Sequence, residues 1–260
     1  YYLPSGTIRD IETGKAVITG RNPDGSVIAK YTDEGVTPPK RVWNMKTHNA
    51  ETYGTNVLNA MIGKRFNYPK SLYAVQDTLR FFVANKPNAL IVDFFAGSGT
   101  TLHAVNLLNA EDGGHRRCIL VTNNEVSADE AKTLSAQGYQ PGDPEWEQYG
   151  IARYVTWPRT VCSIEGHDVN GKPLKGDYIT SGEEPMHMAD GFKANAAFFK
   201  LGFLDKNAVA LGRQFKELLP VLWLKAGAHG PCPSLEEAAE MPAMLVLPEN
   251  HFAVLTNESQ

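Results

Sequence analysis

The sequence predicts an α/β fold with a partly parallel sheet, and two apolar runs carry this prediction. Residues 89–95 (ALIVDFF) and 117–122 (RCILVT) are continuously apolar at their centres, which is typical of parallel strands covered on both faces. A helical segment separates them, and a strand, a helix and a strand within about 35 residues form a βαβ unit. With 260 residues, 42% of them hydrophobic, the chain can bury the core of one large domain or two modest ones.

The segments before this unit predict a β-hairpin and a helix. Residues 14–32 alternate between apolar and polar side chains around the turn Asn22-Pro23-Asp24-Gly25, a hairpin pattern. An irregular, polar stretch follows. From Pro69 onward, apolar side chains recur at three- and four-residue steps, which predicts an amphipathic helix that packs on the sheet. This apolar stripe consists of Leu72, Val75, Leu79, Phe82 and Val83.

Between the two predicted strands, residues 100–108 are expected to form a helix, and residues 111–114 are expected to form the turn that follows it. After the second strand, Ser127 and Glu130 form a capping box, which predicts a short helix that ends near Gly138.

The last third of the chain predicts a different unit. Residues 165–191 are rich in Gly, Asp and Lys and are interpreted as a loop or hairpin, with a boundary near residue 165. Asp205 can cap a long helix bent near Pro220, and two short strands are expected at 244–247 and 252–255. We therefore expect a C-terminal α+β region at 166–260.

Charge is distributed unevenly along the chain. The net charge is −4, but residues 1–90 carry 12 Lys and Arg against 7 Asp and Glu, while the remaining residues carry 13 against 22. The basic first third could face phosphates, or it could form an ordinary solvated surface. Trp43 in the same region could stack on a base or belong to the core. The predicted nucleic-acid contacts are Lys40, Arg41, Trp43, Lys46, Lys64 and Arg65.

The composition excludes several other classes of protein. No apolar run approaches the roughly 20 residues that span a bilayer, and the N-terminus has no signal-peptide pattern, so we expect no membrane contact and a cytoplasmic location. Cys118, Cys162 and Cys232 are far apart, which indicates neither a zinc site nor a disulfide framework. They are interpreted as buried thiols.

The segment 93–101 (DFFAGSGTT) is the strongest indication of a ligand site. It follows the first predicted strand and begins the next helix. Gly97 and Gly99 let a ligand approach the backbone, while Thr100 and Thr101 can satisfy free amides at the helix start. This arrangement predicts a small-molecule site.

The residues of this turn discriminate among three ligands. A P-loop requires a lysine after its last glycine, and the first lysine after Gly99 is Lys132. A dinucleotide fingerprint requires a third glycine where this chain has Leu102. S-adenosylmethionine remains, because helix amides can bind its carboxylate and the rings of Phe94 or Phe95 can face its adenine or sulfonium.

Residues 93–101, with the following helix and strand, resemble motif I of the β-class amino-group DNA methyltransferases, notably the modification subunits of type III restriction systems. The segment 66–70 (FNYPK) resembles motif X of that family, which precedes motif I as it does here. Ser71 stands where a proline is common. The resemblance covers residues 40–165 and implies a Rossmann-like methyltransferase core at 61–165 and a partial target-recognition region at 1–60.

The resemblance also implies S-adenosylmethionine as the cofactor. The glycine turn would hold its methionine end, and the motif X segment would lie at the carboxylate side. Glu125, or Asn123 in its place, would bind the ribose; Glu125 could instead only favour the start of the next helix. The cofactor residues implied are Tyr68, Pro69, Lys70, Ser71, Asp93, Phe94, Phe95, Ala96, Gly97, Gly99, Thr100, Thr101, Asn123 and Glu125.

The catalytic motif of this family, [DNS]PP[YFW], does not occur in the sequence, where Pro38-Pro39 lies between Thr37 and Lys40. His103 is more consistent with a packed or half-exposed histidine than with a base, so no catalytic residue is assigned. We expect a fragment that binds cofactor without transferring methyl groups. Its parent would act on double-stranded DNA, at adenine N6 in preference to cytosine N4, with a restriction subunit or as a homodimer. The alternative is a non-catalytic assembly module of a restriction system.

Overall fold

A computed structural model of the chain describes most of the sequence. The described residues are 5–32, 41–182, 184–203, 205–207, 215–235 and 243–255. By its internal contacts the chain divides into two units, residues 1–196 and residues 197–260. This division lies beyond the boundary expected near residue 165, and the three predicted domain ranges stay predictions.

The N-terminal hairpin is confirmed. Helix α1 (Ser5–Glu12) precedes strands β1 (Ala16–Arg21) and β2 (Val27–Tyr31), which pair antiparallel. Asp24 stabilises the turn, because its carboxylate accepts hydrogen bonds from the backbone N–H of Ser26 at 2.9 Å and from the Ser26 hydroxyl at 2.6 Å.

The predicted amphipathic helix is α3 (Leu72–Val83), and a second helical segment packs beside it. That segment is a π-helical turn (Glu51–Thr55) continued by α2 (Asn56–Ile62). Gly54 faces the carbonyls of Pro69 and Lys70, where a β-carbon would clash. The π-helical turn therefore packs directly against the backbone that precedes α3.

The βαβ unit is confirmed. Strand β3 (Leu90–Asp93), helix α4 (Thr100–Asp112) and strand β4 (Arg117–Leu120) follow each other, and the strands pair in parallel with Leu90 opposite Arg117. Within the described residues β3 and β4 pair only with each other.

The expectation that both strands are buried is wrong. Val92 is 46% exposed, and Leu90 and Ile119 are exposed as well. A two-stranded sheet without a layer on one face leaves alternate side chains in solvent, whatever their hydrophobicity.

Between β4 and the end of the first unit, most elements are helical. The capping box begins α5 (Ala128–Ala136), with the N–H of Glu130 donating to the Ser127 hydroxyl at 3.4 Å and that hydroxyl donating to the Glu130 carboxylate at 2.9 Å. Helix α6 (Pro144–Glu147) follows. A second π-helical turn (Ala152–Thr156) then leads into α7 (Trp157–Glu165).

Residues after α7 return to the core of the first unit. The predicted loop or hairpin contains two short strands, β5 (Asp177–Tyr178) and β6 (Met186–His187), paired antiparallel. Tyr178 and Phe192 are buried, and their rings stack with centroids 5.0 Å apart. The hydrophobic core of this unit is built from α2, α3, α4 and α7. Its buried members include Leu58, Met61, Leu72, Ala104, Leu107, Val155 and Cys162.

The second unit contains helix α8 (Phe215–Ala226) and the antiparallel strands β7 (Met244–Leu247) and β8 (Phe252–Leu255), so the two predicted strands are confirmed. Pro220 lies inside α8, as expected, and Leu219, Trp223 and Phe252 form its buried core. The predicted helix begins after Asp205, and residues 206 and 207 are helical, whereas residues 208–214 lie outside the described residues.

None of the helices in the described ranges combines the length and apolar character that crossing a bilayer requires.

The thiols differ in burial. Only Cys162 is fully buried, whereas Cys118 and Cys232 are half-buried, so the expectation of three buried thiols is correct for Cys162 alone.

Candidate cofactor site at the glycine turn

Asp93 ends β3 and organises the glycine turn. One carboxylate oxygen accepts a hydrogen bond from the backbone N–H of Phe95 at 3.0 Å, and the other accepts from the Thr101 hydroxyl at 2.6 Å. These bonds join the strand end to the first turn of α4. Asp93 therefore stabilises the turn itself, a role separate from the predicted contact with a ligand.

The two glycines of the turn adopt backbone conformations that favour glycine. Gly97 has φ +51° and Gly99 has φ +77°, and Gly99 is the N-cap of α4. A β-carbon on Gly99 would lie 3.2 Å from Cγ2 of Thr156, whereas one on Gly97 would meet only its own turn, at 3.7 Å. Gly99 is thus required by packing behind the turn, and Gly97 keeps its front accessible.

Thr156 supports the turn from behind, and nothing in the local sequence had identified it. Its hydroxyl lies 2.6 Å from the carbonyl oxygen of Gly97 and 3.1 Å from that of Ile151. The π-helical turn before α7 places this side chain against the glycines. Such turns are often found at functional sites.

Arg159 lies beneath the turn and is completely buried, with 0% of its surface exposed. Nη1 donates to the hydroxyl of Thr100 at 2.7 Å, to the hydroxyl of Ser98 at 3.0 Å and to the carbonyl oxygen of Ser98 at 3.3 Å. The guanidinium also lies 3.4 Å from Nδ1 of His103. No role for this residue was predicted from the sequence.

His103 completes this buried network. Its Nε2 lies 2.9 Å from the hydroxyl of Tyr178. Burial and the neighbouring Arg159 hold the pKa of His103 well below its ordinary value, so the ring is neutral. Because Nδ1 faces the Arg159 donors, Nε2 carries the hydrogen and donates to Tyr178. Of the two expected environments, packed or half-exposed, His103 has the packed one.

In front of the turn lies a cavity of about 180 Å³ between the ends of the two parallel strands. It brings Phe94, Phe95 and Gly97 together with Asn123 and Glu125, which sequence reasoning had placed in one site. Its other lining residues are Val121, Thr122 and Ile151. Phe94 is 66% exposed and Phe95 is 92% exposed, so both rings are accessible to a ligand. The cavity is smaller than the roughly 300 Å³ and more of a typical ligand site, so it can enclose part of a ligand whose remainder lies over these rings.

Hydrogen bonds to neighbouring segments hold the part of the chain that carries Glu125 at one side of this cavity. The N–H of Ile151 donates to the carbonyl oxygen of Glu125 at 2.9 Å, and the side-chain amide of Asn124 donates to the carbonyl oxygen of Glu147 at 2.6 Å. The segment after β4 is thereby tied to the α6 region. The side chains of Glu125 and Asn123 are left exposed at the rim.

The motif X segment does not line this cavity. Tyr68 is 94% exposed with φ +59°, and Lys70 is exposed, whereas Pro69 is buried. Ser71 is the N-cap of α3, because its hydroxyl accepts from the N–H of Ala74 at 3.4 Å and donates to the carbonyl oxygen of Thr47 at 2.7 Å. Pro69 and Ser71 therefore have structural roles here, and the role of this segment at a cofactor stays a prediction.

The predicted nucleic-acid residues fall into two groups. Trp43 is half-buried and packs against His48 and Phe81 at centroid distances of 5.4 and 5.0 Å. Trp43 and Lys46 line an open concavity of about 550 Å³. Arg41 and Lys46 are exposed, and Lys40 lies outside the described residues.

The second group is the basic pair Lys64 and Arg65. Lys64 is exposed, whereas Arg65 stacks 4.5 Å above the ring of Tyr154 and donates to the Tyr154 carbonyl oxygen at 3.3 Å. In a regular helix that carbonyl would accept from residue 158, a proline without an N–H. Arg65 therefore makes contacts that stabilise the fold. The DNA contacts of both groups stay predictions.

The sequence of this chain is similar to those of known proteins. Residues 12–133 match the sequence profile of the DNA methylase family. The chain is 32% identical over 132 residues to the type III restriction-modification enzyme EcoPI Mod subunit of Escherichia phage P1, a match that covers 50% of this chain and 19% of that protein.

Two further relatives agree. The StyLTI Mod subunit of Salmonella typhimurium, also of a type III restriction-modification enzyme, is 34% identical over 212 residues, which cover 74% of this chain and 31% of that protein. The type II methyltransferase M.KpnI of Klebsiella pneumoniae is 41% identical over 86 residues, or 33% and 20% of the two chains. The matched segments thus span between a fifth and a third of the relatives' length. The chain is related to the amino-group DNA methyltransferases and resembles the modification subunits of type III restriction systems.

Proposed function

We propose that this chain forms the S-adenosylmethionine-binding part of a site-specific DNA methyltransferase of a restriction-modification system. The observation that carries the proposal is the cavity at the ends of β3 and β4, which the glycine turn lines together with Asn123 and Glu125. Ligands of open α/β sheets bind at the carboxyl ends of the strands, and this cavity lies at that edge.

The residues of the turn match the chemistry of this cofactor. Backbone N–H groups at the start of α4 can donate hydrogen bonds to the methionine carboxylate. Phe94 and Phe95 offer exposed ring faces to the sulfonium and the adenine. Glu125, with Asn123 beside it, can accept hydrogen bonds from the ribose hydroxyls. When bound, the cofactor supplies the methyl group.

The proposal extends to the protein that contains this segment. Residues 61–165 would be a Rossmann-like methyltransferase core and residues 1–60 part of a target-recognition region, with a C-terminal α+β region at 166–260. The substrate would be double-stranded DNA, methylated at adenine N6 in preference to cytosine N4, in the cytoplasm. A restriction subunit and a second copy of the full-length protein are the proposed partners.

Residues 1–260 alone are expected to transfer no methyl group to DNA. An exocyclic amine must be held against the methyl donor by a hydrogen-bond acceptor and a stacking ring, and the sequence has no [DNS]PP[YFW] motif to provide them. Incubating the chain and a full-length relative with duplex DNA and labelled cofactor tests this expectation. Nucleoside analysis of the methylated DNA then separates adenine from cytosine as the acceptor.

Calorimetric titration tests the cofactor proposal directly. We expect the folded chain to bind S-adenosylmethionine and not NAD. Glu125→Gln should weaken binding about tenfold, the worth of one charge-assisted hydrogen bond. Glu145→Gln is the matched control, because Glu145 is also exposed but lies in α6 away from the cavity lining. A folded chain that binds neither ligand would favour the assembly-module alternative, and binding of NAD alone would contradict the cofactor assignment.

A further inference from the structure

Arg159 is a buried cation without an anionic partner among the described residues. Its hydrogen bonds run to the hydroxyl and carbonyl of Ser98, the hydroxyl of Thr100 and the ring of His103, all of them uncharged groups. None of the ion pairs in the described part of the chain includes it. Burying a guanidinium in this way costs several kcal/mol, so its position needs an explanation beyond packing.

The positive charge is retained in the folded protein. Burial lowers the pKa of Arg159 only to about 10, which leaves the guanidinium protonated at neutral pH. The two titratable neighbours do not compensate it. His103 is neutral because its pKa is lowered, and burial raises the pKa of the Tyr178 hydroxyl, which is therefore also neutral.

This charge lies directly under the start of α4. The groups that bind Nη1 belong to Ser98 and Thr100, the residues on either side of the N-cap Gly99. The positive end of the helix dipole and the free amides of the first turn point to the same place. The buried charge and the helix start therefore both favour a negative group in front of the turn.

Asp93 is the acidic residue of the turn itself, and its charge opposes this field. Its carboxylate is only half-buried, and it accepts hydrogen bonds from Phe95 and Thr101. Solvent screens an accessible charge more strongly than a buried one, so Arg159 retains an effect on a ligand that binds against the turn.

We propose that Arg159 is a positioning residue that makes the glycine turn selective for the carboxylate of its ligand. The inference rests on the proposed function, in which the carboxylate lies over the start of α4 and the sulfonium and adenine lie toward Phe94 and Phe95. It adds the residue that makes the turn prefer a carboxylate. Arg159 does this without touching the ligand, through its charge and through the two hydroxyls that it holds.

A pair of ligands that differ by the carboxylate alone tests the inference. S-adenosylmethionine and its decarboxylated form are titrated into the chain by calorimetry. We expect the wild-type chain to prefer the carboxylate-bearing ligand at least tenfold. Arg159→Met removes the charge at similar length and should abolish most of that preference, whereas Arg159→Lys keeps the charge and should retain it. A purely structural role would weaken both ligands equally in both variants.

Arg159→Gln is a second neutral variant, which retains amide donors for Ser98 and Thr100 if the methionine variant does not fold. The wild-type chain offers an independent measurement. A preference that arises from a buried charge should persist in 0.5 M salt, where the screening length for exposed charges falls to roughly 4 Å.

The outcomes separate the inference from the proposed function. A wild-type chain that binds neither ligand contradicts the proposed function. A chain that binds both equally, or whose preference disappears in salt or survives in the neutral variants, contradicts the role of Arg159 and leaves the cofactor assignment intact.

Discussion

Replacing Gly99 by alanine should destabilise the protein more than the same change at Gly113, although both glycines flank α4. Gly99 is its N-cap with φ +77°, and Gly113 is its C-cap with φ +69°. Both alanines would therefore incur the left-handed backbone penalty of about 1–2 kcal/mol. The two sites differ in what surrounds the added methyl group.

The difference follows from the space at each position. A β-carbon at Gly113 meets nothing within 4 Å, whereas one at Gly99 lies 3.2 Å from Cγ2 and 3.5 Å from the carbonyl oxygen of Thr156. Relieving such a contact in a packed region costs about 1–3 kcal/mol. We expect Gly99→Ala to lower the free energy of unfolding by about 2–5 kcal/mol and Gly113→Ala by about 1–2 kcal/mol.

Urea denaturation followed by circular dichroism measures both values. A difference of 2 kcal/mol shifts the midpoint by roughly 1 M for a protein of ordinary urea sensitivity. The double variant Gly99→Ala/Thr156→Ser identifies the cause, because serine lacks Cγ2 but retains the hydroxyl that donates to Gly97. It should recover most of the excess loss as a coupling energy of about 1–3 kcal/mol.

Equal losses at Gly99 and Gly113 would refute the reasoning, since the backbone conformation would then explain everything. An excess loss at Gly99 that Thr156→Ser does not relieve would show that the close contact lies elsewhere. Cofactor affinity is a second readout, because Gly99 belongs to the proposed site and Gly113 lies at the opposite end of the helix.

Three further predictions concern the core and the strands. The folded protein holds the pKa of His103 well below 6.5, whereas the unfolded chain takes up its proton near that value. The free energy of unfolding should therefore fall as the pH drops below about 6.5, by up to about 1.4 kcal/mol per pH unit. Unfolding measured at stepped pH should show this extra slope in the wild type and not in His103→Gln. Leu107→Ala should cost about 2–5 kcal/mol by creating a cavity, while Val92→Thr should cost less than about 1 kcal/mol because Val92 is half-exposed; similar losses in urea melts would contradict the uncovered face of the β3–β4 sheet. Burial raises the pKa of the Cys162 thiol to about 11, so timed alkylation with mass spectrometry at pH 8 should label Cys162 later than Cys232, and the reverse order would contradict its burial.

Signals that act within a few residues predicted much of the local structure. The hairpin followed from the Asn22–Gly25 turn, and α5 followed from the capping box, because both depend on hydrogen bonds between near neighbours. The βαβ unit followed from hydrophobic runs of the right length. The cavity also agrees with the expected grouping of the glycine turn with Asn123 and Glu125, because parallel strands end at one edge of a sheet.

The sequence failed where the answer depends on neighbours that are remote in the chain. Hydrophobic runs indicated buried strands, but exposure is decided by the layers that cover a sheet, and among the described residues none covers Val92 enough to bury it. The contact of the Ser71 hydroxyl with the carbonyl of Thr47 likewise depends on a remote neighbour, and the role of Ser71 at a cofactor stays a prediction. Neither the exposure nor this contact can be read from a local pattern.

By itself, the sequence determined the family resemblance, the order of the central elements and the position of the glycine turn, since these follow from residue types at short spacing. Only the tertiary structure identified what supports that turn. Thr156 and Arg159 each contact it across 59 residues of chain, and Tyr178 reaches His103 across 75. Contacts at such separations arise from packing of the whole unit, which brings a buried charge beneath the glycines without leaving a local signal.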